Sequence, residues 1–492
     1  MKNSIYKCFL SLFILLLFAG CQPIEMDWFQ STTHLPESSL VDSPTAEIND
    51  PTETPSRTVI PFPQSAGPLL LLQTDFSTYQ ILDPKANERY PFQLPVEIQT
   101  TTLSQNLSPS GTRLLLPVDD QEVALFSIRS GTVESTYPLY RDSNSFQPAL
   151  AAELARQVLP DLNFSEEELL TAVENASKAS RSILRWFGSD HAFFFVGGDA
   201  ETETHLYLYD TSTGESRKIE SEPALVEDFW VGPDGNLLLL KKGYVFDPRA
   251  WQDDRYYLVN LDKGTATLLT LPADIHQPAL SWFSANIVSI THQIELVGGN
   301  GFSLLDVDTL TISPLIEGSF SGVYFLGNDL LVVRHDREEQ RTLLSLRDLD
   351  GQTVFERDNQ GLCYLRAQVD SRRAVFNCDQ ESFLLTKENL TFEPFSKPVN
   401  LFSRSPDSTT FLVIDQDGEA KLADNTLLTM KPITLEELPA QILWLPDSSG
   451  FLYRAHTRLF FYDLLTETSQ LLISSEFFGD YRNLNAVWIA AN

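Results

Sequence analysis

Two cysteines in the last third of the chain, Cys363 and Cys378, have a spacing that suits a disulfide. They lie on consecutive apolar runs, 362–368 and 374–378, which a turn at residues 370–371 separates. Antiparallel strands that reverse at this turn place the two cysteines opposite each other, within the separation that a disulfide requires. The sequence therefore predicts a bridge, which persists in an oxidising compartment. The alternative is two reduced, buried cysteines that pack as small apolar side chains.

Elsewhere in the chain, the residue patterns that carry catalysis or bind metals are incomplete. There is no HExxH pair and no phosphate-binding glycine loop, and residues 318–322 have phenylalanine where a nucleophile elbow needs serine. The turns at Asp348 and Asp415 start like calcium loops, but their twelfth positions are Asn359 and Thr426 instead of an acid. The sequence thus predicts no catalytic residue, no cofactor and no metal site. An active site assembled from distant segments stays open.

A further cysteine with predicted chemistry is Cys21, which follows an N-terminal export signal. Lys2 and Lys7 provide a short positive region. Residues 9–18 form an apolar run that is too short for a permanent membrane helix of about 20 residues. Two small residues then stand directly before Cys21. This pattern predicts that the protein is exported.

Residues 18–21, Phe-Ala-Gly-Cys, resemble the lipobox of bacterial lipoproteins, with phenylalanine where the family usually has leucine. The resemblance implies that residues 1–20 are a signal peptide and that the sulfur of Cys21 receives a diacylglycerol. Cleavage would make Cys21 the new N-terminus, anchored to a bacterial membrane on its periplasmic or cell-surface side. The alternative is an ordinary secretory signal followed by an incidental cysteine.

Residues 21–63 are predicted to be a lipidated N-terminus and a disordered tether, because they are rich in proline, serine and threonine. Acidic residues outnumber basic ones by 67 to 35, and the formal net charge is −32. Acyl chains, not basic residues, would therefore hold the protein at the membrane. The same charge balance argues against nucleic acid as a partner, because its phosphates require a basic surface.

Beyond residue 64, short apolar runs alternate with turns in a unit that recurs roughly every 40 to 45 residues. Each unit combines a Pro-Asp type of turn, such as 405–408, with an Asp/Gly type, such as 348–351. An aromatic residue usually precedes the first turn: Trp186, Trp230, Trp282, Phe325, Phe402 and Trp444. The unit predicts a four-stranded antiparallel blade, and its repetition predicts an all-β propeller over residues 64–492. A tandem of β-sandwiches is the alternative.

The ring is expected to close through the C-terminus. The unit near 69–96 lacks a first strand, and residues 484–491 supply one, with Trp488 in the aromatic position. A C-terminal strand that completes the N-terminal blade would remove both exposed edges. Because rings commonly contain four to eight blades, the best estimate from the sequence is eight blades, within a range of seven to nine.

These units resemble the TolB-type, WD-like propeller repeats of bacterial envelope proteins and, more distantly, the propeller of dipeptidyl peptidases. Residues 232–235 and 405–408, Gly-Pro-Asp-Gly and Ser-Pro-Asp-Ser, come nearest to the Ser-Pro-Asp-Gly turn of the family, and the other units depart from it. The resemblance implies the fold alone. It carries over no functional residue, because the matching positions form turns.

Residues 141–181 interrupt the β pattern and are predicted to be a helical insertion. Pro148 suits the first turn of a helix that runs to Val158, and Ser165 with Glu168 makes a capping box for a second helix. The second helix has one apolar stripe, formed by Leu169, Leu170, Val173 and Ala176. The insertion is either a hairpin that covers one rim of the ring or a lid or docking element for a partner.

The predicted architecture favours a non-catalytic function: a membrane-anchored, extracytoplasmic propeller that binds or scaffolds a protein, peptide or glycan. One alternative is a hydrolase or lyase with its active site in the central channel. Another is a structural subunit of an envelope complex. Residues with perturbed pKa values that converge in the channel would favour the enzyme. A large exposed apolar patch on one rim would favour binding or assembly.

Overall fold

The computed structural model describes residues 62–490, with gaps at 64, 66, 76–77, 95–102, 119–121, 139–147, 159, 161–163, 182, 201–202, 220–223, 244–253, 274, 295–298, 319, 389 and 476–483. Several predictions lie outside the described residues. They are the signal peptide at 1–20, lipidation of Cys21, all but the last residues of the tether to residue 63, and the start of the insertion at 141–147.

The described strands form nine sheets, eight of four strands and one of three, and these sheets are the blades of a propeller. Blades are numbered here in chain order. The strands of blades 1 to 5 are β1 (Leu69–Asp75), β2 (Thr78–Asp83), β3 (Glu88–Phe92); β4 (Arg113–Pro117), β5 (Glu122–Ser127), β6 (Thr132–Pro138); β7 (Leu184–Phe187), β8 (Ser189–Ala200), β9 (Glu203–Asp210), β10 (Glu215–Lys218); β11 (Leu225–Val231), β12 (Leu237–Gly243), β13 (Arg255–Asn260), β14 (Thr265–Leu268); and β15 (His276–Ser284), β16 (Ile287–Ile294), β17 (Gly299–Asp306), β18 (Thr311–Gly318).

Blades 6 to 9 repeat the four-stranded pattern, and the last strand of the chain belongs to blade 1. Their strands are β19 (Gly322–Leu326), β20 (Asp329–Asp336), β21 (Arg341–Arg347), β22 (Thr353–Gln360); β23 (Cys363–Gln368), β24 (Arg373–Cys378), β25 (Glu381–Thr386), β26 (Thr391–Ser396); β27 (Val399–Arg404), β28 (Thr410–Asp415), β29 (Ala420–Asp424), β30 (Met430–Ile433); β31 (Gln441–Trp444), β32 (Gly450–Ala455), β33 (Arg458–Asp463), β34 (Thr468–Ser474); and, for blade 1, β35 (Ala486–Ile489).

The C-terminal strand completes blade 1. β35 pairs with β1 in antiparallel register, with Leu70 opposite Trp488, and the strand order in the sheet is β3-β2-β1-β35. β35 therefore occupies the first-strand position of its blade. Trp488 stands on it as Trp230 and Trp444 stand on the first strands of blades 4 and 9. The predicted closure of the ring is confirmed.

The ring of described strands has nine blades, one more than the best estimate and at the upper end of the predicted range. The nine units visible in the sequence correspond to the nine sheets. The estimate of eight was wrong because it followed the usual size of such rings and not the residues. Blade 2 is irregular: helix α1 (Leu103–Asn106) replaces most of its first strand, and a single bridge pairs Leu107 with Leu114.

Apolar layers between adjacent blades hold the ring together. In the described part of the chain, nine clusters of buried apolar side chains lie between the nine pairs of neighbouring blades. Side chains alternate across a strand, so Leu69 and Leu71 of β1 face blade 2, whereas Leu70 and Leu72 face blade 9. The layer between blades 9 and 1 thus joins the two ends of the propeller.

The two ends of the ring differ. Because neighbouring strands are antiparallel, the first-to-second and third-to-fourth turns lie together at one end, the turn face. The remaining connections lie at the opposite end, the loop face. Connections at the turn face are short, such as 232–236 and 405–409. The strands that flank the long connections 93–102, 139–183, 244–254 and 475–485 end or begin at the loop face. β1 is a second strand, so the chain joins the ring at the turn face, where Ser65 donates a hydrogen bond to Asp83.

Aspartate side chains close many of the short turns. The carboxylate of Asp407 accepts hydrogen bonds from Ser405 Oγ at 2.6 Å and from the backbone N–H of Thr409 at 3.1 Å, and these bonds lower the pKa of Asp407 to about 2. Asp348 and Asp415 use their Oδ1 atoms in the same way, each accepting from backbone N–H groups two and four residues further on. These aspartates act as turn formers.

The predicted helical insertion is present over its described residues. Helices α2 (Pro148–Val158) and α3 (Glu166–Arg181) pack against each other, and the capping box forms: Glu168 N–H donates to Ser165 Oγ, and Ser165 N–H donates to Glu168 Oε2. In the apolar stripe Leu169, Val173 and Ala176 are buried and Leu170 is partly buried. Contact with Ala224, directly before β11, places the pair at the loop face beside blade 4.

Removal of the closing strand is expected to destabilise the whole ring. Val487 is 7% exposed and lies in the layer between blades 1 and 2. An aspartate at this position would bury an unpaired charge, so we expect Val487→Asp to lower the free energy of unfolding by about 3 kcal/mol. Truncation before Leu484 should be more severe and promote aggregation through the free edge of β1.

Calorimetric unfolding measures both effects. The matched control is Val354→Asp on the outer strand β22, where the valine is 59% exposed. This control should melt close to the wild type. A Val487→Asp variant with the same melting temperature as Val354→Asp would contradict the closure.

Candidate functional site

The first strands of the blades line the central channel, and their tryptophans connect neighbouring blades. The indole N–H of Trp282 donates to the carbonyl oxygen of Trp230 at 2.9 Å, and that of Trp444 donates to Ser403 Oγ at 2.9 Å. The aromatic positions that the sequence marks as a repeat therefore have a structural task. At Trp282 and Trp444, the indole joins the first strands of two neighbouring blades beside the channel.

The described first strands carry few charged side chains. Both carboxylates form ion pairs, whereas two of the three arginines do not. The carboxylates are Glu227 and Asp228, both on β11, and each forms an ion pair, with Lys241 at 2.6 Å and with Arg185 at 2.8 Å. Arginines lie on three of these strands: Arg185 on β7, Arg366 on β23 and Arg404 on β27. Within the described residues, neither Arg366 nor Arg404 has a carboxylate within ion-pairing distance. The described first strands thus carry an excess of positive charge in a strongly acidic protein.

A cleft of about 450 Å³ opens among the first strands of blades 5 to 8, at the turn-face end of the channel. Phe283 and Phe325 stack in it, with ring centroids 3.7 Å apart. Its lining consists of Phe283, Phe325, Gly327, Gln368, Val369, Asp370, Ser371 and Arg404. The volume is that of a small-molecule site. The cleft therefore offers an aromatic surface beside a guanidinium.

Asp370, the acid in this cleft, is committed to its own turn. Its Oδ1 accepts hydrogen bonds from the backbone N–H groups of Arg372 and Arg373, and its Oδ2 lies 2.6 Å from a guanidinium nitrogen of Arg373. Burial alone would raise the pKa of Asp370, but the bonds from Arg373 and Arg372 outweigh it and lower that pKa. Asp370 is thus a paired carboxylate and not a free acid in the cleft.

A second cluster of polar groups lies at the loop-face end of blade 4. Lys241 Nζ is 2.6 Å from Glu227 Oε2 and 3.0 Å from Asp254 Oδ2. Tyr256 donates from its hydroxyl to the carbonyl of Pro278 in blade 5 at 2.9 Å. The cluster joins β11, the end of β12, the start of β13 and the neighbouring blade.

The electrostatics of this cluster are those of a buried ion-pair network. Burial alone would lower the pKa of Lys241, but the charges of Glu227 and Asp254 outweigh it and raise that pKa above its ordinary value. Burial raises the pKa of Asp254, and the charge of Lys241 offsets part of that effect. Because Asp254 precedes a third strand, its perturbed carboxylate does not belong to the channel lining.

The two predicted disulfide cysteines meet in the layer between blades 6 and 7. The strand register pairs Cys363 directly with Cys378, as the sequence predicts. Their sulfur atoms are 2.11 Å apart, at bonding distance, and both residues are buried. The side-chain amide of Asn359 donates to Cys363 Sγ at 3.1 Å. The two cysteines lie between two blades and outside the lining of the cleft.

Sequence reasoning missed the blade 4 cluster and also Arg366 and Arg404, which form no ion pair with any described residue. Arg404 stands directly before the Pro-Asp turn 405–408, where the other units with this kind of turn have the apolar residues Leu107, Val231 and Trp444, and this charged residue was the available signal. The partners Glu227, Lys241 and Asp254 lie on different strands, and no local pattern brings them together.

Comparisons with known proteins support the fold. No family model and no curated protein matches this chain. A solved eukaryotic initiation factor is similar over 86% of this chain and 98% of that chain, with 14% identity and a TM-score of 0.50. Dipeptidyl peptidase 4 of Porphyromonas gingivalis covers 76% of this chain and 60% of its own, with 9% identity and a TM-score of 0.45. The WD40 domain of Sif2 covers 71% and 95%, with 12% identity and a TM-score of 0.34. At 14% identity, the similarity to the initiation factor concerns the fold alone.

The described residues contain neither a metal-binding cluster nor a membrane-spanning helix. No group of three or more histidines, cysteines or acids is placed there to hold a metal ion. No helix in the same residues has the length and apolar character needed to cross a membrane.

Loss of the lysine in the blade 4 cluster should destabilise the fold. Lys241→Met keeps most of the side-chain volume but removes the ammonium that bridges Glu227 and Asp254. Because the three side chains are 23%, 9% and 12% exposed, we expect a loss of roughly 3 kcal/mol in the free energy of unfolding at pH 7.5. The loss should shrink on acidification, since protonation of a carboxylate then relieves the repulsion.

Denaturant unfolding at two pH values measures this effect. Lys431→Met is the matched control, because Lys431 pairs with Glu467 at the surface, where both side chains are about half exposed. The control should cost less than about 1 kcal/mol. Equal losses for the two variants would show that the Lys241 cluster contributes no more than a surface pair.

The predicted disulfide between Cys363 and Cys378 can be tested by mass spectrometry. Non-reducing peptide mass spectrometry of the protein from an oxidising compartment should find the peptides of Cys363 and Cys378 linked. Replacement of both by serine should lower stability by up to about 3 kcal/mol, because the closed loop spans 15 residues. Two alkylatable thiols in the native protein would refute the bridge.

Proposed function

We propose that this protein is a lipid-anchored, extracytoplasmic propeller that binds and scaffolds a partner, which is a protein, peptide or glycan. The observation that carries the proposal is the difference between the two faces of the ring. The chain joins the ring at the turn face, whereas α2, α3 and the strand ends that flank the long connections lie at the loop face. We therefore assign the lipid anchor at Cys21 to membrane attachment and the loop face of the ring to partner binding.

The loop face has the properties of a binding surface on a rigid scaffold. Function concentrates in long connections because they vary without disturbing the core. The helix pair is fixed to the ring by buried contacts of Ala152, Val173 and Ala224. On its outer side α3 exposes Glu166, Glu167 and Glu174. We expect a partner with a complementary basic or hydrogen-bond-donating surface.

The two alternatives differ in their support. A hydrolase or lyase would need reactive groups in the channel, but the two carboxylates on the described first strands, Glu227 and Asp228, are ion-paired. A structural subunit of an envelope complex is favoured by one observation. Leu428 and Leu465, which are 77% and 90% exposed, lie at the turn-face tips of the adjacent blades 8 and 9. Permanent rather than exchangeable association would identify such a subunit.

Membrane fractionation tests the anchor. Cys21→Ser should abolish acylation and move the protein from the detergent-dependent membrane fraction to a soluble or unprocessed form. A variant that still behaves as a mature, detergent-dependent membrane protein would contradict lipid anchoring.

Photo-cross-linking in intact cells tests the binding face. A photoreactive phenylalanine analogue at Glu167 on α3 should give a discrete adduct. The same analogue at Thr466, in the turn 464–467, is the control and should not give that adduct. A discrete adduct from Thr466 alone would assign binding to the other face, and no adduct from Glu167 would overturn the proposed loop-face function.

A further inference from the structure

We propose that the cleft at the turn-face end of the channel binds a carboxylate attached to an apolar ring. The source is either a free small molecule or the C-terminus of a peptide that ends in an aromatic residue. This site lies at the opposite end of the ring from the loop face, so the inference does not depend on the proposed function.

The aromatic part of the ligand would lie against the stacked pair Phe283 and Phe325. The two side chains come from the first strands of blades 5 and 6, and both remain partly exposed. Gly327 follows them with a φ of +67°, and a Cβ there would lie 3.1 Å from the carbonyl oxygen of Ser371. A glycine at this position therefore keeps the wall of the cleft free of a side chain.

The carboxylate would lie at Arg404. This guanidinium donates one hydrogen bond, from a terminal nitrogen to the carbonyl of Val369 at 3.2 Å, and has no ion pair within the described residues. A guanidinium has five N–H donors, and its geometry matches a carboxylate. Ser371, exposed in the same cleft, adds a hydroxyl donor. Arg404 thus keeps further N–H donors for a ligand, and its hydrogen bond to the carbonyl of Val369 holds the guanidinium in place.

A second guanidinium lies further along the same channel wall. Arg366 precedes Gln368 of the cleft by two residues on β23, which corresponds to about 7 Å. The pairing of β23 with β24 is irregular between Leu365 and Ala367, where Arg366 lies. Such bulges change the direction of a side chain. Its Nε is buried and has no hydrogen-bond partner among the described residues. Arg366 adds positive potential behind Arg404.

The charge of the rest of the protein makes this arrangement selective. With a formal net charge of −32, the surface repels anions in general. Positive groups in a channel with low-dielectric walls concentrate the field locally. Asp370, the carboxylate of the cleft, is neutralised by Arg373. An anion therefore finds favourable potential at the channel mouth, and the aromatic pair selects one that also carries an apolar ring.

Titration of the full-length chain in detergent with benzoate tests the proposal, with heat or chemical shift as the readout. Benzoate should bind, and benzyl alcohol, which has the ring without the charge, should bind at least about tenfold more weakly. Arg404→Gln should weaken benzoate binding by a similar factor, and Arg404→Lys by less. The matched control is Arg372→Gln on the neighbouring turn of blade 7, between β23 and β24; its side chain is 75% exposed and lies outside the cleft lining.

The outcomes separate clearly. N-acetylglycyl-phenylalanine that binds more tightly than benzoate, and whose amide does not bind, identifies a peptide C-terminus as the ligand. Tighter binding of benzoate identifies a small molecule. No benzoate binding to the wild type, or equal binding to Arg404→Gln with an unchanged melting temperature, overturns the inference. An equal loss in Arg372→Gln also overturns it, because a general charge effect would then explain the binding.

Discussion

The apolar layer between one blade and the next is the interaction on which the rest of this structure depends. A single four-stranded sheet has two apolar faces and cannot bury either by itself. The strand Leu69–Leu72 shows the consequence, since alternate leucines enter the layers on its two sides and all four are fully buried. The same demand recurs at each described blade. At blade 9 this face is buried because β35 returns to blade 1 and closes the ring.

The two ends of the closed ring, the turn face and the loop face, differ in structure. The turn face is built from short, aspartate-capped turns that position strands, and it receives the chain from the N-terminal side. The loop face carries the helix pair, and the buried contacts of α2 and α3 with Ala224 make this pair part of the rigid ring. The channel between the faces carries more positive than negative charge on its described first strands. We expect ligands to bind at the surfaces that ring closure leaves exposed, which are the loop face and the channel.

Local patterns made much of this architecture predictable. The capping box of Ser165 and Glu168, the hairpin register of Cys363 and Cys378, and the aromatic residue on most first strands depend on neighbours in sequence, and the structure confirms them. The number of blades depended on all units together, and the usual ring size gave eight instead of nine. Arg366 and Arg404 could not be recognised as a pair, because their shared surroundings exist only once blades 5 to 8 assemble.

The most direct test of the closed ring is a disulfide engineered across its seam. Leu72 and Ala486 are directly paired between β1 and β35, although more than 400 residues separate them in sequence. A protein with cysteines at both positions should form the bridge quantitatively on mild oxidation and melt at a higher temperature than its reduced form. The out-of-register pair of Leu72 and Ile489 should not cross-link. A folded protein in which the Leu72 and Ala486 positions stay unlinked, or link no faster than the out-of-register pair, would contradict closure by the C-terminal strand.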